Sequence, residues 1–171
     1  KARGKIKIGR VRKEKDTLIF KYVSRYTLKH IVAELMEYSN NFIANQILIA
    51  SGVKLDPPGG TLKKGVQAGY FFAKKILKID DFSFVEGSGI SRKNKISGDS
   101  MYKVLKKFKS YHYLMRHTDR EFYKTGSLKG IRTRAGYIRS RKGGLYSFVV
   151  MINTPGKTTG SIMARLLAAL G

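Results

Sequence analysis

Nine residues near the C-terminus, 145–153, narrow the choice of fold. They read Leu-Tyr-Ser-Phe-Val-Val-Met-Ile-Asn, which is almost entirely apolar and rich in β-branched and aromatic side chains. Such a run predicts a strand that is covered on both faces. Residues 134–140 predict its antiparallel partner, joined to it across the turn Lys142-Gly143-Gly144. Apolar residues at helical spacing after Pro155 predict a C-terminal helix that covers the sheet.

The first two thirds of the chain are predicted to be mainly helical. Residues 17–23 (Thr-Leu-Ile-Phe-Lys-Tyr-Val) are an exception, because they are β-branched and aromatic and predict a strand. Residues 80–99 are expected to be irregular. Helices followed by an antiparallel sheet make the expected class α+β. The expected helices are one begun by Thr27, an apolar run over 42–50 that ends at Gly52, one begun by Thr61, and one from Ser100 to about Phe108 begun by Asp99.

The charge of the chain indicates an anionic partner. Its 35 Lys and Arg residues outnumber 11 Asp and Glu residues, which gives a formal charge of +24. A field of this size favours nucleic acid or an anionic cell envelope, and charge alone does not separate the two. The chain has no cysteine and three histidines, so disulfides and thiolate metal sites are excluded and we expect no zinc site.

Residues 1–16 form a basic lead-in. Ile6 and Ile8 alternate with lysines, so this segment is either a short edge strand or a solvated arm. The chain begins at Lys1 without methionine and without a signal-peptide pattern, which we interpret as a trimmed or excised product. No apolar run reaches the length of a membrane span.

The sequence Lys124-Thr125-Gly126 lies in a stretch that predicts a strand. Tyr123, Thr125 and Leu128 favour strand structure, whereas Gly126 weakens it and indicates that a ligand or a second backbone comes close. A peptide could pair along such a strand while Lys124 and Thr125 hold an anionic end. The alternative is an ordinary strand that enters a glycine turn.

A second polar group, Ser39-Asn40-Asn41, falls between two predicted helices. A hydroxyl can relay a proton, and a carboxamide can both donate to and accept from a substrate peptide. The alternative is simple capping, because Ser and Asn favour helix starts.

Three blocks of the sequence together resemble a known family. Ser-x-x-Lys, Ser-Asp-Asn and Lys-Thr-Gly mark penicillin-binding proteins and class A β-lactamases. The blocks Met36-Glu37-Tyr38-Ser39-Asn40-Asn41-Phe42-Ile43-Ala44-Asn45, Glu86-Gly87-Ser88-Gly89-Ile90-Ser91-Arg92-Lys93-Asn94 and Tyr123-Lys124-Thr125-Gly126-Ser127-Leu128-Lys129-Gly130 resemble the class C penicillin-binding proteins. Those proteins are D-alanyl-D-alanine carboxypeptidases and endopeptidases. Glu86 and Ile90 depart from the family's usual Asp and Leu, and the resemblance covers residues 17–171.

The resemblance implies a serine β-lactamase or transpeptidase-like fold and a role for each matching residue. Ser39 would pass a proton between the nucleophile's lysine and the leaving amine, and Asn41 would hold the substrate's acyl-side amide. Lys124 would supply positive charge beside Ser39. Thr125 would bind the terminal carboxylate, Gly126 would admit the substrate backbone, and the N–H of Ser127 would form half of an oxyanion hole.

The nucleophile of this family is missing from its expected place. The family carries it in a Ser-x-x-Lys sequence N-terminal to Ser-x-Asn. The two matches here, Ser51 with Lys54 and Ser100 with Lys103, lie after Ser39, so we interpret both as chance. Residues 17–171 are therefore interpreted as the C-terminal segment of a penicillin-binding domain whose nucleophile lies on an upstream segment.

The resemblance implies an extracytoplasmic or periplasmic enzyme that acts on peptidoglycan stem peptides, uses no metal or cofactor, and is acylated by β-lactams. The expected site is catalytic Ser39, Asn41 and Lys124 with substrate-binding Thr125, Gly126 and Ser127. The alternatives are a basic nucleic-acid-binding module and a non-catalytic cell-wall peptide binder. Tyr and Phe between the basic residues of 102–113 favour the former, but no nucleic-acid motif appears.

Overall fold

The computed structural model describes residues 9–12 and 14–171. The possible strand at Ile6 and Ile8 therefore lies outside the described residues. The helices are α1 Leu28–Tyr38, α2 Asn41–Leu55, α3 Leu62–Phe71 with a π-helical continuation Phe72–Leu77, α4 Gly98–Phe108 with a 3-10 turn Lys109–Leu114, and α5 Gly160–Ala169. The strands are β1 Phe82–Ser83, β2 Lys95–Ile96, β3 Arg116–Thr118, β4 Glu121–Leu128, β5 Ile131–Arg139 and β6 Leu145–Ile152.

The sheet is antiparallel, with the order β3-β4-β5-β6, and its two faces pack against different helices. Phe148 and Val150 of β6 pack with Met163 of α5 on one face. Val149 belongs to the opposite cluster, which also contains Leu105 of α4. Both faces of β6 are thus covered, as its apolar sequence predicts. The α+β class and the covering C-terminal helix are confirmed.

Tyr137 of β5 fastens the sheet to α4. Its side chain is fully buried, and its hydroxyl donates a hydrogen bond of 2.6 Å to the carbonyl of Leu105. Burial raises the pKa of Tyr137 to about 12, so the hydroxyl keeps its proton and its donor role at neutral pH. This bond fixes the helical layer against the sheet.

Residues 17–23 are not a strand, so that prediction was wrong. They are extended but form no ladder, and Leu18, Ile19 and Phe20 are between 75% and 95% exposed. A strand needs a neighbour for its backbone hydrogen bonds, and nothing in the described ranges pairs with this segment. The β-propensity of the side chains is real, but propensity alone does not supply a partner.

The prediction that α2 ends at Gly52 was also wrong, because the helix continues to Leu55. Gly52 lies where α2 crosses α3, and a Cβ atom there would collide with the backbone of Gly65. A Cβ on Gly65 would in turn collide with the carbonyl of Leu48. The two glycines allow a close helix crossing, which from sequence alone looks the same as a C-terminal stop signal.

The helix starts were predicted more accurately. Thr27 and Thr61 cap α1 and α3, and each hydroxyl accepts a hydrogen bond from the third following backbone N–H. At α4 the cap is Ser97 rather than Asp99, which lies in the first turn. Residues 80–99 also contain the short β1–β2 pair, which the sequence analysis placed in an irregular region. Within the described part of the chain, no helix has the length and apolar character to cross a bilayer.

Candidate active site

The structure brings Ser39 and Lys124 together. Side chains alternate along β4, so Lys124 lies on the same face as Phe122, which packs in the cluster facing the helices. The junction between α1 and α2 is next to this face. The ammonium group of Lys124 donates a hydrogen bond to the hydroxyl of Ser39. Two groups that are 85 positions apart in the sequence therefore meet at one point.

The helix junction holds Ser39 in an unusual conformation. Ser39 is the C-cap of α1 with φ 57° and ψ 46°, a left-handed backbone that residues other than glycine rarely adopt. Asn40 then caps α2, because its side chain accepts from the backbone N–H of Ile43 at 3.0 Å. The capping alternative thus applies to Asn40. Residues with a strained backbone cluster at functional sites. Ser39 is such a residue, and Lys124 donates a hydrogen bond to it.

Asn41 is the first residue of α2, and its side chain is exposed. No protein group in the described part of the chain forms a hydrogen bond with its carboxamide. The amide is therefore accessible two residues after Ser39. The structure places it at the same junction but gives it no contact with Lys124.

Glu37 and Arg116 are charged neighbours of Lys124 that the sequence analysis did not select. Glu37 is on the last turn of α1, and its carboxylate lies 3.5 Å from Nε of Arg116 on β3. Burial lowers the pKa of Lys124, repulsion from Arg116 lowers it further, and Glu37 opposes both effects. No local pattern joins Glu37 to Arg116, because the pair forms only when β3 docks beside α1.

The outer edge of β4 is open next to Lys124. Strand β3 pairs with β4 only from Glu121 to Tyr123. From Lys124 to Leu128, β5 is the sole pairing partner among the described residues. The exposed side chains of Thr125 and Ser127 are on this open stretch. Its free backbone groups can pair an extended peptide.

Gly126 has a structural reason that the sequence analysis did not give. It is opposite Thr133 of β5, and a Cβ atom on Gly126 would lie 2.5 Å from the hydroxyl of Thr133. The close group is thus a side chain of the neighbouring strand, rather than a second backbone.

The strand before Lys124 is anchored by an ion pair. Glu121 is 4% exposed. Its carboxylate oxygens Oε1 and Oε2 lie 2.6 Å from Nε and 2.7 Å from Nη2 of Arg134. The guanidinium carbon of Arg134 also lies 3.7 Å from the centre of the Tyr123 ring. Such a two-point contact orients β4 against β5 just before the Lys-Thr-Gly segment.

Glu86 organises the loop 86–94. Its carboxylate accepts hydrogen bonds from the backbone N–H groups of Ser88, Gly89 and Ser91, from the Ser88 hydroxyl, and from the Asn94 amide. Burial alone would raise the pKa of Glu86, but these hydrogen bonds outweigh it and hold the pKa below its usual range. A glutamate fulfils the organising role at the position where the family usually has aspartate.

The same loop joins the two halves of the site. The side-chain oxygen of Asn45, one helical turn after Asn41, accepts from the N–H of Gly87 at 2.7 Å. At the other end, Arg92 donates to the carbonyl of Lys129, just beyond β4, at 2.7 Å. The three sequence blocks are therefore in physical contact through this loop.

We expect Glu86→Gln to lower the free energy of unfolding by about 1–2 kcal/mol at neutral pH, because it weakens charge-assisted hydrogen bonds at a partly solvent-exposed group. The pKa of Glu86 is lower in the folded protein than in the unfolded chain. Its stabilisation is therefore complete above the unfolded value near 4.3 and is lost as pH falls through the folded value. Urea unfolding of both proteins from pH 7 to pH 3 should show the difference shrinking with acid.

Glu34→Gln, on the exposed face of α1, is the matched control and should change stability by less than about 0.5 kcal/mol. A Glu86→Gln difference that stays constant down to pH 3 would contradict the assigned role of the carboxylate.

The two serines that were set aside have structural roles. Ser51 donates its hydroxyl to the carbonyl of Ile47 within α2 at 2.9 Å. Ser100 is 5% exposed in the first turn of α4, and Lys103 donates to the carbonyl of Lys78 at 2.8 Å instead. Neither sequence forms a serine–lysine hydrogen bond in the described part of the chain.

Comparison with known proteins gives a consistent family and fold. A family model described as the D-Ala-D-Ala carboxypeptidase 3 (S13) family matches residues 1–119, a span that includes Ser39 and Asn41 and ends before Lys124. No curated protein matches the sequence. Among solved structures, penicillin-binding protein 4 from Haemophilus influenzae, complexed with a β-lactam, is 19% identical with a TM-score of 0.66 over 81% of this chain and 40% of its own.

Two structures from Bdellovibrio bacteriovorus are similar. One is a predatory endopeptidase in complex with an immunity protein, with 20% identity and a TM-score of 0.66 over 84% of this chain and 43% of its own. The other is a penicillin G-acylated predatory endopeptidase, with 18% identity and a TM-score of 0.56 over 83% and 42%. The chain thus spans about two fifths of the length of these structures. At these identities the likeness is one of fold, and it confirms the transpeptidase-like architecture.

Proposed function

Because this chain belongs to the D-Ala-D-Ala carboxypeptidase 3 (S13) family, we propose that it is the C-terminal part of a serine-type D-alanyl-D-alanine carboxypeptidase or endopeptidase. Its substrate is the stem peptide of peptidoglycan. The observation that carries the proposal is the hydrogen bond between Lys124 and Ser39 beside the open edge of β4.

The nucleophile comes from a Ser-x-x-Lys sequence upstream of Ser39. Neither Ser-x-x-Lys of this chain is in position, and the chain spans about 40% of the length of the similar penicillin-binding protein 4. The upstream serine attacks the carbonyl carbon of the penultimate D-alanine and forms an ester with it.

The upstream lysine takes the proton of the attacking serine. Ser39 then passes that proton from the lysine to the nitrogen of the terminal D-alanine. The C–N bond then breaks, D-alanine leaves, and water hydrolyses the ester. Lys124 keeps the local potential positive while negative charge develops on the substrate, and the N–H of Ser127 donates to the oxyanion. Burial and Arg116 lower the pKa of Lys124, whereas Glu37 opposes them and favours the charged ammonium group that this role requires.

The open stretch of β4 orients the substrate. An extended stem peptide pairs with the backbone of β4 after Lys124 and passes along Gly126. The exposed hydroxyl of Thr125 donates to the terminal carboxylate, and the free amide of Asn41 holds the acyl side. The exposed polar groups on this edge support the arrangement.

We place the protein outside the cytoplasm, in the periplasm or cell envelope, because its substrate class is there. The charge of +24 would attract it to an anionic envelope surface. No specific nucleic acid is proposed as a partner, and β-lactams are expected to act as inhibitors.

Thr125→Ala tests the proposal in the complete protein. We expect D-alanine release from a peptide ending in D-Ala-D-Ala to fall roughly tenfold or more, since a hydrogen bond to a charged group contributes ~1.5–3 kcal/mol. Cleavage of a peptide whose terminal carboxylate is amidated should fall much less. The measurement is kcat/KM for both peptides, with exposed Thr17→Ala as the matched control.

An equal loss on both peptides would remove Thr125 from the carboxylate site. A complete wild-type protein that binds the peptide but releases no D-alanine would instead be the non-catalytic binder.

A further inference from the structure

Two touching helical elements present a cluster of lysines away from the Ser39–Lys124 site. The π-helical segment carries Lys74 and Lys75 and is followed by Lys78, and α4 carries Lys103, Lys106 and Lys107. All six are exposed. The hydrogen bond from Lys103 to the carbonyl of Lys78 joins the two elements. We call these six residues the lysine face.

Among the described residues, no carboxylate forms an ion pair with a lysine of the lysine face. Residues 57–79 and 100–118 contain no Asp or Glu, and the nearest carboxylates along the chain are Asp80, Asp81 and Asp99. Across the described ranges, the ion pairs involve other cations, and no carboxylate lies within 4.0 Å of any ammonium group of the face. The positive potential of the cluster therefore extends into solvent.

Exposed apolar side chains are interleaved with these lysines. Phe71, Phe72 and Ile76 are 49%, 45% and 50% exposed, and Tyr102 is 46% exposed on α4. A π-helix has i→i+5 hydrogen bonds, so Ile76 lies about one turn after Phe71 and Phe72 and on the same side of the segment. Phe72 and Leu77 also line an apolar cavity of about 410 Å³ with Val104 of α4. Apolar and cationic groups thus share one surface.

We propose that the lysine face binds the surface of an anionic lipid bilayer. Lysines attract acidic headgroups, and Phe71 and Ile76 enter the boundary between headgroups and acyl chains. A nucleic-acid duplex would use the charges but, because its bases are already stacked inside the helix, would leave Phe71 and Ile76 in water. The combination of charge with exposed Phe and Ile therefore favours the bilayer. The inference rests on the proposed attraction to an anionic envelope, to which it gives a location and a partner.

Vesicle co-sedimentation tests the inference on the complete protein. We expect binding to phosphatidylcholine vesicles that contain 30% phosphatidylglycerol and little binding to phosphatidylcholine alone. Each basic residue near an anionic surface contributes about fivefold in partitioning, so Lys74→Gln with Lys75→Gln and Lys107→Gln should weaken binding on the order of 100-fold. These three lysines are chosen because they make no structural hydrogen bond, unlike Lys103.

A second triple variant has the same net charge. It combines Arg141→Gln, Lys142→Gln and Lys157→Gln, which are exposed residues in turns beside the sheet. This control should retain most of the vesicle binding. Equal losses of vesicle binding in the two triple variants would overturn the proposal that the lysine face is the membrane-binding surface, because binding would then depend on total charge alone.

Phe71→Ser with Ile76→Ser tests the apolar contribution. Salt screens the headgroup attraction, so wild-type binding that remains at 0.5 M salt should depend on these two residues. The inference would be overturned if no wild-type binding survived salt, or if a DNA duplex bound more tightly than the vesicles and lost affinity in the lysine-face variant.

Release of D-alanine by the lysine-face triple variant separates this inference from the proposed function. Normal release with lost vesicle binding supports both. Normal D-alanine release with unchanged vesicle binding overturns only the proposal that the lysine face binds the bilayer. Absence of release in the wild type overturns the enzymatic proposal and leaves the vesicle result to be judged by itself.

Discussion

The complete protein, with an upstream Ser-x-x-Lys, should gain the mass of one penicillin molecule, whereas the 171-residue chain should gain none. Ser39 and Lys124 are in hydrogen-bond contact, and in the proposed mechanism the attacking serine lies on an upstream segment. A proton relay and a positive charge do not open a β-lactam ring without a nucleophile. Intact-protein mass spectrometry after incubation with penicillin measures the result directly.

Peptide mapping then gives the modified residue. We expect the adduct on the upstream serine, and the complete protein with Ser100→Ala or Ser51→Ala should be labelled as fast as the wild type. An adduct on Ser51 or Ser100 in the 171-residue chain would show that the nucleophile was misplaced, despite the helical hydrogen bond of Ser51 and the burial of Ser100.

Lys124→Ala should slow acylation of the complete protein by roughly two orders of magnitude or more, comparable to loss of a donor at the reacting centre. The substitution removes the charge beside Ser39 and leaves that hydroxyl without its cationic partner. The measurement is the second-order rate constant for acylation by penicillin. In the proposed mechanism Lys124 acts on the transition state, so the fall should appear in kcat as well as in kcat/KM for peptide substrates.

Two variants make the Lys124 result specific. Lys142→Ala, in the exposed β5–β6 turn, changes the net charge equally and should acylate at the wild-type rate. Lys124→Arg keeps the charge with a different shape and should recover part of the rate. Loss of less than about threefold in Lys124→Ala would remove Lys124 from the catalytic group.

Most of the local signals in this fold were predicted correctly, although the cap of α4 is Ser97 rather than Asp99. Thr27 and Thr61 cap helices because a hydroxyl satisfies a free N–H of the first turn, whatever the rest of the chain does. The apolar residues of β6 likewise indicate cover on both faces wherever that cover comes from. Such signals lie within a few residues of one another.

Two wrong predictions, the end of α2 at Gly52 and a strand at residues 17–23, depend on segments that are distant in the sequence. Gly52 was interpreted as a helix end because its reason, the crossing with Gly65, is 13 residues away in α3. Residues 17–23 have strand-forming side chains but no partner in the described part of the chain. In both cases the outcome depends on a distant segment, which intrinsic propensity does not contain.

The residues of the candidate site also fall into two groups, those that sequence blocks indicate and those that only the folded structure brings together. Ser39, Asn41 and Lys124 were selected because their sequence blocks resemble a family, and the structure brings Ser39 and Lys124 into contact. Glu37 and Arg116 were not selected, although both act on the pKa of Lys124. Their pairing depends on how β3 docks beside α1, and an isolated Glu or Arg carries no signal for it.

The open edge of β4 has a consequence for the behaviour of the protein at high concentration. An unpaired strand edge is a template for association with a second copy, and this one is free from Lys124 to Leu128. If two copies paired there in antiparallel register, each would bring Lys124 and nearby Lys129 towards the same groups of the other. Repulsion between these ammonium groups, added to a charge of +24 on each chain, opposes self-assembly. The edge can therefore remain open to a short anionic peptide without becoming a seed for aggregation.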